Sequence, residues 1–456
     1  MGHGRATAFD GLTGGRLSRR GLVRGAAAGA AAAGLAGAGL AGAPRAAAQA
    51  TPTLGDFSGQ TLSFMIIQPH KVTGDMLKQD FEALTGATVE LTVVPYDQVQ
   101  AKATLDVQSG ANAIDVIDYW YTTVGALSTQ GIVEDLTERI AADPSLDTAD
   151  FLPSIYDTYT RYDGKRWGLP YDGDTHVLFY NTEIFDRHGL KAPATWEDYL
   201  TAAKTITEAE KGNGVYGCGL QAAKAPIIIG STYANRLAGY GGTFLDADGK
   251  PTLTSDAAVA AAQALVDTAP WALPTPLETA FDQALPAFLN GQIAMMDFWT
   301  DLGVYAEGPD SKIKGKWDVV QNPVGGANTT HLAPLNAGFC FAVSAGSRNK
   351  DLAWEFVKFA TCDKAYHLKL LTTTGSGIDP TRVSELQSEA YKAFAPKVQK
   401  AAAAALSGAF AWPTIPQSPD LMQALADELA LMLQGTKDAK TATSDAQAAW
   451  EQILAG

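Results

Sequence analysis

Cysteine is scarce. Cys218, Cys340 and Cys362 are the only three in 456 residues. They are widely spaced, with none of the short intervals of a metal-binding pair. An exported protein of this size built on a disulfide framework would carry more. At most one disulfide is expected, and buried small side chains are the favoured reading. The six histidines contain no pair at metal-binding spacing. A Walker phosphate loop and a Gly-x-Ser-x-Gly nucleophile turn are both missing. Gly217 to Ala222 formally fits a dinucleotide fingerprint. Pro226 would break the helix such a site needs, and the same pattern recurs at Gly37 to Gly42. No metal or organic cofactor is expected.

Basic residues are outnumbered. There are 34 Lys and Arg against 49 Asp and Glu, a net charge of −15. Residues 1–50 hold six of the arginines and one aspartate, so the remainder is more acidic still. Such a chain repels phosphate backbones, which excludes nucleic acid as a partner. Strongly apolar residues are also few in the one long uncharged run. From Gly25 to Ala43 every residue is Gly, Ala or Leu, and Leu35 and Leu40 are the only leucines. The run is long enough to span a bilayer but weakly apolar.

What precedes that run explains it. Ser18-Arg19-Arg20-Gly21-Leu22 resembles a twin-arginine export signal, and small residues suited to cleavage follow at Ala46 to Ala50. The expectation is a signal peptide over residues 1–50, a mature chain starting near Gln49 or Thr51, and release to a periplasmic or extracellular space. No cysteine stands near the cleavage point, so a lipid anchor is not expected.

The remaining ~400 residues exceed one typical core and suggest two domains. Thr61 to Gln68, Val89 to Val94 and Ile114 to Trp120 read as strands. Gly74 to Thr85 and Asp97 to Gly110 between them read as helices. That alternation predicts an α/β fold with a parallel sheet, whose ligands bind beyond the carboxyl ends of the strands. Those ends are Gln68-Pro69-His70 and Asp118-Tyr119-Trp120. Carboxylates accept hydrogen bonds from hydroxyls, and aromatic faces pack against the C–H patches of a sugar ring. Asp172, Asp174 and His176 alternate at the start of another apolar run, where unpaired charge is costly to bury.

Several stretches, taken in order, resemble the maltose-binding-like solute-binding proteins of sugar ABC importers (extracellular solute-binding protein family 1). These are Asp115 to Trp120, Tyr162 to Pro170, the run from Gly168 to Asn181, Pro193 to Asp198, Asn290 to Met296, Asn336 to Ser344 and Trp412 to Gln417. The resemblance covers residues 57–456 and implies a type II periplasmic-binding-protein fold, two α/β lobes joined by a hinge around a cleft. The implied N-terminal lobe is 51–173 with 334–373, and the C-terminal lobe is 174–333 with 374–456. The third crossing would fall at Thr372 to Asp379. The ligand set this implies is Gln68, His70, Asp118, Tyr119, Trp120, Asp172, Asp174, Trp299, Asp301, Asn336, Gly338 and Trp412. Tyr119 is favoured in the cleft, with Asp118 and Trp120 as further candidates. The family's usual aromatic is displaced here: Phe298-Trp299-Thr300-Asp301 moves it two places and adds an acceptor. The implied function is binding of a sugar, oligosaccharide or polyol and its delivery to permease subunits, by a monomer without enzymatic activity. The competing reading is an exported glycoside hydrolase. It would use Asp172 with Asp174, or Asp174 with Asp301, as a carboxylate pair about 5–5.5 Å apart if retaining or 6.5–9.5 Å if inverting.

Overall fold

The structure, a computed structural model, describes residues 54–456. The signal peptide expected at residues 1–50 lies outside the described residues.

Three of the expected strands form the heart of the first sheet. Thr61–Ile67 lies between Thr88–Val94 and Val116–Trp120 and pairs in parallel with both. Phe339–Val343 and Leu169–Asp172 complete five strands. A second sheet of four contains, in spatial order, Trp317–Val320, His176–Asn181, Ile293–Trp299 and Tyr216–Cys218.

The expectation of a parallel sheet holds only in part. Phe339–Val343 is antiparallel to both its neighbours, and in the second sheet only Tyr216–Cys218 with Ile293–Trp299 is parallel. The cause is chain direction. The first three strands finish at the cleft, whereas Phe339 enters the first sheet there on its way back from the second.

Local signals formed the elements much as read. The helix expected from Gly74 begins at Lys71 and runs to Thr85, where Gly86 at φ 71° stops it. Asp163 and Gly164, at φ 50° and 75°, close the hairpin between Arg161–Tyr162 and Lys165–Arg166. Positive φ at both turn residues matches the twist of the paired strands. Thr195 caps Trp196–Glu210 and Asp198 completes the capping box. This helix buries Trp196, Tyr199, Ala203 and Ile206 on one face. The stretch after Gly217 turns into Pro226–Gly230 rather than a phosphate-binding helix.

The chain passes between the sheets over residues 173–175 and again between Val320 and Phe339. Beyond Asp379 it still holds to the first sheet's side. The Arg382 guanidinium donates to the carbonyls of Leu146, Asp147 and Thr361 at 2.9–3.2 Å and lies over Phe151. By Pro396–Leu406 it has changed sides, since Lys397 Nζ donates to the Trp317 carbonyl. The passage therefore lies later than the Thr372 to Asp379 stretch read from the sequence. The anchor is a buried Arg382, two of whose carbonyl contacts, Leu146 and Asp147, lie more than two hundred residues away in the chain.

All three thiols are free; Cys218 and Cys340 are buried and Cys362 is partly so. Among the described residues no helix is long and apolar enough to cross a membrane.

Candidate functional site

The ladder of the first sheet sets one wall. Phe339 pairs with Trp120 on one side and Asp172 on the other, with a bulge between Phe339 and Cys340. The ends of Thr61–Ile67 and Thr88–Val94 bring Pro69, His70 and Tyr96 to the same edge. In the second sheet His176 pairs with Trp299, so the next residues, Thr300 and Asp301, emerge beside the 173–175 passage.

Between these edges lies an inner cavity of about 50 Å³, lined by His70, Tyr96, Phe339, Asp174, Trp299, Asp301, Phe281, Ile227 and Gly377 among others. It shares Tyr96, Ile227 and Phe339 with an outer cavity of about 310 Å³, which adds Trp120, Gln100, Lys224, Met422 and Gln423. The inner cavity draws residues from both sheets, Ile67 and Phe339 from the first and Trp299 from the second.

Four carboxyls gather at the inner end. Asp174 Oδ1 accepts from the Thr300 N–H (3.3 Å) and hydroxyl (3.0 Å). Asp172 Oδ1 accepts from the Asp379 N–H at 2.9 Å, and Asp379 Oδ1 from the Tyr391 hydroxyl at 3.2 Å. Asp379 also lies within hydrogen-bonding reach of Asp174. Asp301 borders the cavity, and among the described residues no donor reaches its Oδ1, Asp172 Oδ2 or Asp379 Oδ2. Burial first, and then the neighbouring carboxylates, hold Asp172, Asp174 and Asp301 well above the usual carboxylate range. Burial raises Asp379 as well.

His70 Nδ1 sits 2.8 Å from the Tyr171 hydroxyl, and burial lowers its pKa to about 3. It is therefore neutral, and its 4.0 Å approach to Asp172 is not an ion pair.

The residues singled out in the sequence divide. His70, Asp174, Trp299 and Asp301 line the inner cavity, Trp120 lines the outer one, and Asp172 lies directly behind. The others fall elsewhere. Gln68 is exposed and outside both cavities. Tyr119 is buried on the opposite side of its strand, its hydroxyl donating to the Tyr159 carbonyl at 3.0 Å. Alternation along a strand forces that choice once Trp120 faces the cavity. Asp118 is fully buried, and its Oδ2 accepts from the Ile67 N–H at 3.0 Å. Asn336 is a brace: it donates to Asn235 Oδ1 (2.7 Å) and accepts from Trp412 Nε1 (3.0 Å). Trp412 is buried and meets Trp120 edge-on at 5.9 Å, so it supports the wall rather than forming it. Gly338, at φ 108°, has Tyr159 packed where a side chain would be.

Tyr96, Phe281, Phe339 and Asp379 were missed. The strand-end rule that picked His70 applies equally to Tyr96, just past Val94. Asp379 carries no local signal, because its partner Asp172 is 207 residues away.

The raised carboxyls have a testable consequence. Burial pushes Asp118 up to about 8, against an unfolded value near ~3.9. In that window the native state holds more protons than the unfolded chain, so stability falls as pH rises. His70 and His176, both lowered to about 3 by burial, act the other way, but only below the unfolded histidine value near ~6.5. Between pH 6.5 and 8 the opposing effect of His70 and His176 dies away while that of Asp118 persists. Calorimetry of ligand-free protein should show Tm falling across that interval, with a smaller fall in Asp118→Asn. A flat or rising Tm contradicts the burial argument.

Two α/β sheets joined by repeated passages, with an aromatic and acidic cleft drawn from both, define a two-lobed ligand-binding protein of type II periplasmic architecture. Residues 71–366 match the bacterial extracellular solute-binding protein family, and the chain belongs to it. The chain is similar to a probable amino-acid ABC transporter periplasmic-binding protein of Sinorhizobium fredii, 26% identical over 83% of this chain and 85% of that one. It is 25% identical to the erythritol/L-threitol-binding protein of Mycolicibacterium smegmatis, over 72% of this chain and 71% of that one. A solute-binding protein of Agrobacterium radiobacter in complex with ribitol superposes with a TM-score of 0.77 at 25% identity. That match covers 86% of this chain and 98% of the other. These are binding proteins, and this chain is a solute-binding protein, not an enzyme. The glycoside hydrolase reading is set aside on that ground.

Proposed function

We propose that the chain is the extracytoplasmic binding component of an ABC importer and takes a sugar or polyol in its inner cavity. The carrying observation is the pairing of aromatic walls, Trp299, Phe281 and Phe339, with the acceptors Asp174 and Asp301. Relatives whose names or complexes specify erythritol, L-threitol or ribitol support the reading. An amino acid, suggested by the name of another relative, fits less well. Its carboxylate needs a cationic donor, and the inner cavity is lined by no Lys or Arg.

Because both sheets contribute lining residues, ligand favours a closed arrangement over an open one, and hinge closure is the expected motion. Lobe boundaries near 173–174 and 333–334 suit the sheets, with the last boundary beyond Leu386. Export by the twin-arginine route, monomeric state and delivery to permease subunits belong to the same proposal.

Thermal unfolding with a panel of polyols and monosaccharides tests it. A ligand at 100 times its Kd stabilises by about 2.7 kcal/mol, readily seen as a rise in Tm. If no member at millimolar concentration raises Tm, the carbohydrate reading is wrong.

A further inference from the structure

Asp172, Asp174, Asp301 and Asp379 are each at least nine-tenths buried around the inner end of the cavity. Among the described residues no Lys or Arg appears among the main charges that act on any of the four. The nearest imidazole, His70, is neutral. The buried cation of this half of the molecule, Arg236, is already committed to Asp297 at 3.0 Å. Lys224 lines only the outer cavity. Hydrogen bonds within the protein do not exhaust the acceptors. Asp301 is 8% exposed and faces the cavity, yet among the described residues its Oδ1 has no donor.

Neutral hydroxyls satisfy acceptors but leave charge uncompensated. Buried carboxylates are stable only when protonated or paired with a cation. A metal ion is the less suitable cation, since among the described residues no three His, Cys, Asp or Glu side chains form a metal-binding group. The cavity walls are instead shaped for an organic body, with Trp299, Phe281 and Phe339 as flat apolar surfaces. An ammonium group also packs favourably near aromatic faces.

We infer that the preferred ligand carries a protonated amine as well as hydroxyls, an amino sugar or amino polyol whose ammonium group is held by Asp301 and Asp174. The inference rests on the carbohydrate reading and narrows it. In the absence of the amine, burial and mutual repulsion favour protonated carboxyls in the cluster, so capture of the ammonium group releases protons to solvent.

Calorimetric titration of the mature chain at pH 7 with matched pairs tests this. The probes are D-glucitol with 1-amino-1-deoxy-D-glucitol, ribitol with 1-amino-1-deoxyribitol, and D-glucose with D-glucosamine. In at least one pair the amine should bind at least tenfold tighter, in line with the roughly 10- to 150-fold contribution of a charged hydrogen bond. Repeating the titration in buffers of different ionisation enthalpy should show proton release for the amine and not for its hydroxyl counterpart. Asp301→Asn should reduce the preference to below threefold. If hydroxyl members bind and no amine is preferred, the amine inference fails and the carbohydrate reading stands. If no member of any pair binds at 10 mM, both fail. If calcium or magnesium chloride alone raises Tm and a chelator reverses it, the cluster holds a metal and the amine inference is overturned.

Discussion

Arg236→Met should cost the protein about 3–5 kcal/mol of stability, the loss typical of removing one partner from a buried ion pair. Arg236 is fully buried in the helix Ser231–Gly239 and donates to Asp297 Oδ2 at 3.0 Å and to the Thr232 carbonyl at 2.9 Å. Its guanidinium lies 4.3 Å from the Trp196 ring centre. Without it, Asp297 keeps only Asn235, at 2.6 Å, and a long contact to Tyr199. The carboxylate would then be a buried charge with no counter-ion. Asn235 matters further along, because it also meets His176 Nδ1 at 2.8 Å and accepts from Asn336. Asn336 in turn holds Trp412. One ion pair thus anchors a chain of polar contacts running from the second sheet to the support of the cavity wall. Denaturant unfolding measures the loss. The variant should also reverse the pH response of Asp297, which in the parent is kept below the usual carboxylate range by Arg236 and Asn235 against the opposing effect of burial. With its folded pKa raised instead, Arg236→Met should gain stability as pH falls toward 5. A loss under 1 kcal/mol would show the pair to be dispensable.

Asp174→Asn should weaken binding of an amine-bearing ligand by roughly 10- to 150-fold, from about 1.5–3 kcal/mol for a hydrogen bond to the carboxylate that is charged once the ammonium group is bound. The residue borders the inner cavity, is only 6% exposed, and holds Thr300 through a single oxygen. Asparagine can keep the Thr300 contacts through its own carbonyl oxygen and removes one of four crowded carboxyls. Tm without ligand should therefore stay level or rise while affinity drops. Calorimetry with an amine-bearing sugar or polyol, alongside unfolding of the unliganded variant, separates the two effects. Unchanged affinity would make Asp174 a structural partner of Thr300 and nothing more.

The sequence by itself determined the elements and the class. Thr195 and Asp198 form the capping box expected of a Thr-x-x-Asp helix start. Asp163-Gly164 makes the tight turn. The periodicities of Thr61 to Trp120 produced alternating strands and helices, because such signals act over a few residues through backbone sterics and local hydrogen bonds. The ordered motifs along the chain pointed to a solute-binding protein before any contact was known. Which strand-end residues face the cavity was a different kind of question. Trp120 and Tyr119 are neighbours of similar chemistry, and only the pairing of Phe339 with Trp120 and Asp172 decided which of them lines the cleft. Asn336 and Trp412 read as ligand groups but are spent on each other. Asp379 and Tyr96 did not read as ligand groups, yet Tyr96 lines the cavity and Asp379 joins the carboxyl cluster behind it. Those outcomes depended on tertiary structure, because a polar side chain is available to a ligand only if folding leaves it without a partner. That partner lies a hundred or more residues away, in pairs such as Asp172 with Asp379 and Asn336 with Asn235.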